Sequence, residues 1–263
     1  MTDADVAIEL VAAGAAIVRR SYGTDLDRFS KGGGDFATSA DVGAEAAMLA
    51  VLASRRPADG VVAEESGSRA ASDGNSRVWL IDPLCGTLNY AARMPIVAVN
   101  AAVRDGGRLV AAAAADPFSG ETFWTDGQAS HVHLDGRDTP LAPTAASRLV
   151  DLNLDPPFPS APGFRAAALA GDPQFLDAFK PRVVSTSLAL AWVATGQRAA
   201  YVTDGVPRDS VHFAAGIAIC EAAGCVVTDL FGDAWGGGPT GLLAAADAGT
   251  HERLLRLTRT RLQ

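Results

Sequence analysis

Apolar residues recur every three to four positions at the start of the chain. Val6, Leu10, Ala13 and Ile17 share one face of residues 4–20, with Asp3 and Asp5 at the start and Arg19 and Arg20 at the end. That spacing predicts an amphipathic helix whose end charges complement its macrodipole, although Gly14 lowers the propensity slightly. A second helix is predicted over 41–54, with Asp41 as its cap, Ala and Met in its interior and Pro57 beyond its end. Between the two, Lys31-Gly32-Gly33-Gly34-Asp35 lacks the GxxxxGK[ST] spacing of a phosphate loop and reads as a flexible hairpin. Short apolar runs at Val61–Val62 and Val78–Ile81 read as strands that end on acidic residues, Glu64-Glu65 and Asp82. Segments 96–103, 108–115 and 121–125 are separated by turn-forming stretches and predict an antiparallel meander.

From about 138 to 163 the text turns to Pro, Ala and Ser, and Pro140, Pro143, Pro156, Pro157, Pro159 and Pro162 are expected to break any regular element. A boundary is placed there, dividing the chain into 1–140 and 141–263. Beyond it, 182–184, 199–203 and 226–230 read as strands, while 186–196 and 212–224 read as helices ended by Gly196 and Gly224. The first half is therefore α+β, with helices beside an antiparallel sheet, and the second is α/β, expected to close a shared site.

Composition narrows the function classes. The chain has 263 residues, 48% of them hydrophobic, enough apolar material for a large core and too much for a disordered chain. The formal charge of −8 comes without a basic stripe, so nucleic acid is not an expected partner. Cys85, Cys220 and Cys225 are three, without disulfide or zinc-knuckle spacing, which suggests a reducing cytosol and a cytoplasmic protein. The opening MTDADVAIEL lacks a signal-peptide pattern, and no apolar stretch is long enough to span a membrane.

Carboxylates at the ends of buried strands are costly unless they are paired or hold a cation. If the strands ending at Glu64 and Asp82 are neighbours, their carboxylates converge as an oxygen-rich Mg²⁺ site; the alternative is plain solvation of strand ends. Directly after Asp82, Pro83 fixes a turn and Gly86 allows close backbone approach before a helical turn, where amides of Gly86 and Thr87 would face an anion. Glu64, Asp82 and these amides together suit hydrolysis of a phosphomonoester.

The segment Trp79-Leu80-Ile81-Asp82-Pro83-Leu84-Cys85-Gly86-Thr87-Leu88-Asn89-Tyr90 resembles the inositol monophosphatase family signature, W-x-[IV]-D-P-[IL]-D-G-T-x-N-[FY]. Ala63-Glu64-Glu65-Ser66 is similar to the family's G-E-E-S. Lys31 with Asp35-Phe36-Ala37-Thr38-Ser39-Ala40-Asp41 resembles its lysine loop and D-x-V-T-x-x-D, and Ala214-Ala215-Gly216 with the run from Glu221 to Asp229 resembles W-D-x-A-A-G…E-A-G-G-x-x-x-D. The resemblance covers nearly the whole chain in order. It implies a layered α-β-α-β-α sandwich of the inositol monophosphatase and sugar phosphatase type, a homodimer, and Mg²⁺-dependent hydrolysis of small phosphate esters of polyols, sugars or nucleotides. By position, Glu64, Asp82 and the Leu84 carbonyl would hold the first metal, Thr87 with Asp41 would orient the attacking water, and Gly86 would help bind phosphate.

Two positions depart from the pattern. Cys85 stands where the family has its second aspartate, and His212 stands where it has the aspartate before A-A-G; in the family both belong to the second metal. Three readings stay open. Cys85, His212 and Asp82 form an altered metal shell suited to Zn²⁺, or one that holds no metal. Alternatively, Cys85 and His212 form a thiolate–imidazole dyad above a helix start that lowers the thiol pKa, with Asp82 or Asp209 orienting the imidazole, for chemistry on a non-phosphate substrate. In the third, both are satisfied packing residues in a decayed site, and the chain is a non-catalytic binder. Arg208 and Asp209 are further substrate-contact candidates, a loop salt bridge being the plainer role. His131 and His133 alternate on one strand face as sheet decoration or ligands, and Cys220 and Cys225 read as packing residues.

Overall fold

The computed structural model describes residues 1–32, 35–154, 165–205, 210–236 and 241–259, which form two compact units. The first comprises Met1–Pro140 with Thr186–Leu188 and Val211–Ile219, and the second comprises Leu141–Ser185, Ala189–Ser210 and Cys220–Gln263.

The first unit opens with helix α1 (Asp3–Ser21), followed by β1 (Arg28–Gly32) and β2 (Asp35–Thr38), an antiparallel pair, and α2 (Ser39–Arg55). Then come β3 (Gly60–Ala63), β4 (Gly67–Arg69), β5 (Val78–Cys85), the single turn α3 (Thr87–Ala91), β6 (Ala98–Asp105), β7 (Arg108–Ala115), β8 (Thr122–Thr125), β9 (Ser130–Leu134) and β10 (Arg137–Pro140). Eight strands make one sheet in the order β10-β9-β8-β7-β6-β5-β3-β4, antiparallel except for β3 beside β5. The predicted meander is its centre. Ala111, Ala113 and Ala115 of β7 and the valines of β6 meet α1, whose buried stripe runs Val6, Leu10, Val11, Gly14, Val18, a little round from the predicted Ala13 and Ile17. Gly14 is there for contact: a Cβ would lie 2.8 Å from Val99 Cγ1 and 2.9 Å from Met48 Sδ.

Asp41 is not the cap of α2. Thr38 is, and Asp41 is the N3 residue of a reciprocal capping box, its carboxylate accepting from the Thr38 N–H at 2.8 Å.

The second unit holds β11 (Leu149–Asn153), α4 (Arg165–Ala170), α5 (Pro173–Ala178), β12 (Lys180–Val183), β13 (Ala200–Thr203), β14 (Val226–Thr228), β15 (Leu242–Ala245) and α8 (Ala248–Arg259). Helices α6 (Leu188–Ala194) and α7 (Ala214–Ala223) each begin in the first unit and end in the second. The five-stranded sheet runs β12-β11-β13-β15-β14, with β11 parallel to both neighbours. The expectation of no regular structure over 138–163 is corrected in two places. Pro140 closes the edge strand β10, where a missing N–H is tolerated, and β11 is a buried inner strand in a stretch that contains no proline. Pro143 lies in the irregular stretch ahead of β11, and residues 155–164, with Pro156, Pro157, Pro159 and Pro162, lie outside the described residues. Gly196 and Gly224 do follow their helices at positive φ, 80° and 92°. No described helix is long and apolar enough to cross a membrane.

Candidate metal and phosphate site

Register brings Glu64 and Asp82 together, although Asp82 lies within β5, which runs on to Cys85, and not at its end. Ala63 of β3 pairs with Ile81 of β5, and the Glu64 N–H donates to the Ile81 carbonyl at 3.1 Å, so Glu64 leaves β3 beside Asp82. On its other edge β5 pairs Asp82 with Asn100 and Cys85 with Ala98, so β5 carries one residue more than β6 between these pairs. This bulge, at Pro83, bends the strand beside the signature residues. Asp82 Oδ1 accepts from the Leu84 N–H at 3.1 Å, and Gly86, at φ 108°, makes the left-handed step into α3.

A buried hydroxyl–carboxylate pair stands in the same unit. Thr87 Oγ1 donates to Asp41 Oδ1 at 2.9 Å and lies 3.2 Å from the Leu84 carbonyl, while Thr38 fixes the other Asp41 oxygen. Burial raises the Asp41 carboxyl above its ordinary range in spite of these donors.

Asp82, Cys85 and His212 offer a carboxylate oxygen, a sulfur and an imidazole nitrogen that all lie within 4.8 Å of one another. His212 Nδ1 is 2.9 Å from Asp82 Oδ2. The Ser187 N–H donates to Cys85 Sγ at 3.3 Å, and Asn100 Nδ2 donates to Ser187 Oγ at 2.7 Å and more weakly to Asp82 Oδ2 at 3.4 Å. All of these residues belong to the first unit. Asn100 and Ser187 were not among the sequence candidates. Their signal is a lone amide inside the apolar strand 96–103 and a Thr-Ser pair ahead of an Ala-rich helix.

The charges explain one another. Burial and the adjacent Asp82 carboxylate push Glu64 up to about 8, although His212 and Lys31 pull it down. Burial would raise Asp82 too, but the His212 imidazole, Glu64 and the Leu84 amide bring it below the usual carboxylate range. Burial opposes a charged His212, yet Asp82 and then Cys85 raise it well above an ordinary imidazole. Removal from water and the Asp82 charge push the Cys85 thiol up, which corrects the expectation of a thiol lowered by a helix start: Cys85 ends a strand, and α3 has only five residues. Lys31 Nζ bridges Glu64 Oε1 at 2.9 Å and Glu65 Oε1 at 2.7 Å; burial lowers it, but the two carboxylates more than offset this.

Glu64 Oε2 is buried and accepts no hydrogen bond. That oxygen and the fully buried Asp82, to which the Glu64 carboxyl hydrogen-bonds, form an oxygen-donor pair that fits a hard cation such as Mg²⁺ in place of the proton. Beside it a cavity of about 410 Å³ is lined by Phe29, Lys31, Val42, Glu45, Glu64 and Glu65.

Other candidates fall elsewhere. Arg208 and Asp209 lie outside the described residues. His131 stacks on Trp124 with ring centroids 4.8 Å apart, and His133 Nδ1 contacts Asp138 at 3.0 Å, so this face is occupied by local partners. Cys220 and Cys225 are buried, Cys220 Sγ donating to the Leu190 carbonyl at 3.1 Å. Asp229, the last residue of the late motif, accepts from the Phe231 and Asp233 amides and so shapes a loop.

The similarity to known proteins extends over the same length. A profile of the inositol monophosphatase family matches residues 2–263. An inositol-1-monophosphatase of Caulobacter vibrioides is 30% identical over 85% of this chain and 88% of its own length. Inositol-1-monophosphatase ImpA of Mycolicibacterium smegmatis is 32% identical over 88% and 82%, and the Nus factor SuhB of Escherichia coli K12 is 32% identical over 87% and 85%. Among solved structures, the extragenic suppressor protein suhB of Bartonella henselae superposes with a TM-score of 0.84 at 24% identity over 97% of both chains. The Thermotoga maritima IMPase does so with 0.79 at 19% identity, over 98% of this chain and 97% of its own. With a full-length profile, relatives at 30% identity or more, and a shared mixed α/β fold, this chain belongs to the inositol monophosphatase family.

Proposed function

We propose that the chain is a divergent metal-dependent phosphomonoester hydrolase acting on a small phosphorylated polyol, sugar or nucleotide. The observation that carries this reading is the buried Glu64–Asp82 carboxyl pair, in which Glu64 Oε2 accepts no hydrogen bond, next to the Thr87–Asp41 pair. Glu64, Asp82 and the Leu84 carbonyl would hold Mg²⁺, which when bound supplies charge to polarise a phosphoryl oxygen and to acidify water. Thr87 Oγ1, whose proton is committed to Asp41 at 2.9 Å, has lone pairs left to accept from the attacking water. Asp41, raised by burial, takes the proton that Thr87 passes on, and the two Thr38 donors keep it aimed. The Gly86 amide is assigned to the phosphate, and the cavity of about 410 Å³ on the Lys31 and Glu65 side of Glu64 has room for a small polyol or sugar.

The test is phosphate release from a panel of small phosphate esters, using protein purified without chelator and supplied with Mg²⁺, Mn²⁺ or Zn²⁺. Metal-dependent release is expected, with Thr87→Ala lowering kcat by about 100-fold through loss of the proton path. Protein that releases no phosphate under any of these metals overturns the reading.

A further inference from the structure

We propose that Asp82, Cys85 and His212 bind a thiophilic divalent cation of the Zn²⁺ class, with a fourth position open to water or substrate. The inference deepens the hydrolase reading and rests on it only for what the cation is used for, not for its binding. Mg²⁺ does not fit this corner: it demands six hard oxygen donors, and two of the three side chains here offer sulfur and nitrogen. Zn²⁺ accepts carboxylate, thiolate and imidazole alike, and at ligand distances of roughly 2.0–2.3 Å its tetrahedral partners stand about 3.3–3.8 Å apart. The three donor atoms, each within 4.8 Å of the others, need only small side-chain adjustments to meet that spacing.

A second, independent observation comes from behind the ligands. The Ser187 N–H points at Cys85 Sγ from 3.3 Å, the way a thiolate ligand is stabilised by a peptide donor. Asn100 then ties the Ser187 hydroxyl to Asp82, so sulfur and carboxylate are oriented by one hydrogen-bonded unit. A buried filler cysteine would need neither. His212 keeps 39% of its side-chain surface exposed, whereas Asp82 keeps none, so the fourth position lies on the solvent side.

The experiment strips the full-length protein of metal, equilibrates it with Zn²⁺ or Co²⁺ alone, and reads stoichiometry and absorption. One Zn²⁺ per chain is expected, undisplaced by excess Mg²⁺, and the Co²⁺ form should show a sulfur-to-cobalt charge-transfer band with strong four-coordinate visible bands. Cys85→Ser should abolish the charge-transfer band, and both it and His212→Ala should weaken Zn²⁺ binding by about 100-fold or more, at least the cost of losing a supporting partner. His133→Ala, on the decorated strand face, should leave both readouts unchanged. If the ligand variants do not fold, the wild-type cobalt spectrum decides alone, and absence of the charge-transfer band overturns the site. Rapid alkylation of Cys85 that Zn²⁺ does not slow also overturns it and favours the nucleophilic dyad. Mg²⁺-supported phosphate release by a chain that binds no Zn²⁺ overturns this site and keeps the hydrolase. Tight Zn²⁺ binding without release from any ester keeps the site and overturns the hydrolase.

Discussion

A single methyl group measures how closely α1 lies on the sheet. On Gly14 it would sit 2.8 Å from Val99 Cγ1 and 2.9 Å from Met48 Sδ, so the valine and methionine side chains would have to shift. Gly14→Ala gains helix propensity of up to about 1 kcal/mol, but overpacking here costs about 1–3 kcal/mol. We therefore expect a net loss of stability, checked by the denaturation midpoint in urea; a midpoint that rises would show that the layer can open. The same scale shows why sequence reading stopped where it did at the site. Asp41, Glu64 and Asp82 were legible as acidic residues at the edges of apolar runs, whereas Cys85 and His212 were legible only as departures from the family pattern that the chain resembles. Asn100 and Ser187 were not, since a lone Asn in a strand and a Ser before a helix gain meaning only when the fold sets them 2.7 Å apart.

Between residue and domain, the ends of elements carry the chemistry. Helix α2 begins with a capping box whose N3 residue, Asp41, also accepts the Thr87 hydroxyl, so one side chain holds the helix start and stands in the proposed proton path. Thr38→Val removes the capping hydroxyl and should cost about 1 kcal/mol of stability. It should also lower kcat about tenfold, as expected from losing one charge-assisted hydrogen bond of about 1.5 kcal/mol. Steady-state kinetics with KM unchanged would support this double duty, whereas unchanged kcat would confine Thr38 to capping. Elements with clear periodicity or turn punctuation, such as α1 and the β6–β7–β8 meander, could be read from the chain. Strand β11 could not, because prolines on both sides of it, Pro143 and Pro156, masked a short apolar segment. The capping of α2 was misplaced by three residues for a physical reason: Thr38 and Asp41 are both good caps, and only the backbone shows which one is extended.

At the scale of the whole molecule, the site stores protons that the unfolded chain would give up. Glu64 rises from 4.5 to about 8 on folding, so between those values the folded state holds a proton that the unfolded state lacks, and stability falls as pH rises. His212 acts in the same direction: its pairing with Asp82 contributes fully below the ordinary 6.5 and is lost as pH rises through its higher folded value. Asp82 is the converse, present above 3.8 and lost as pH falls through its lowered folded value. Melting of metal-free protein from pH 5 to 8 should therefore show a falling Tm, and Glu64→Gln should flatten the slope. Adding a divalent cation at 100 times its Kd should restore about 2.7 kcal/mol. A Tm that climbs with pH in metal-free protein would show that Glu64 is ionised in the fold.

Asp82 is held in common by everything around it: the Glu64 carboxyl, the His212 imidazole, the Leu84 amide and the Asn100 amide. Cys85→Asp alone would bring a second carboxylate up to Asp82 while an imidazole stays at 212; His212→Asp alone would remove the imidazole that keeps Asp82 charged and leave Cys85 with the Ser187 N–H as its donor. Positions 85 and 212 are therefore coupled through one shared neighbour, and the effects of changing them are expected not to add.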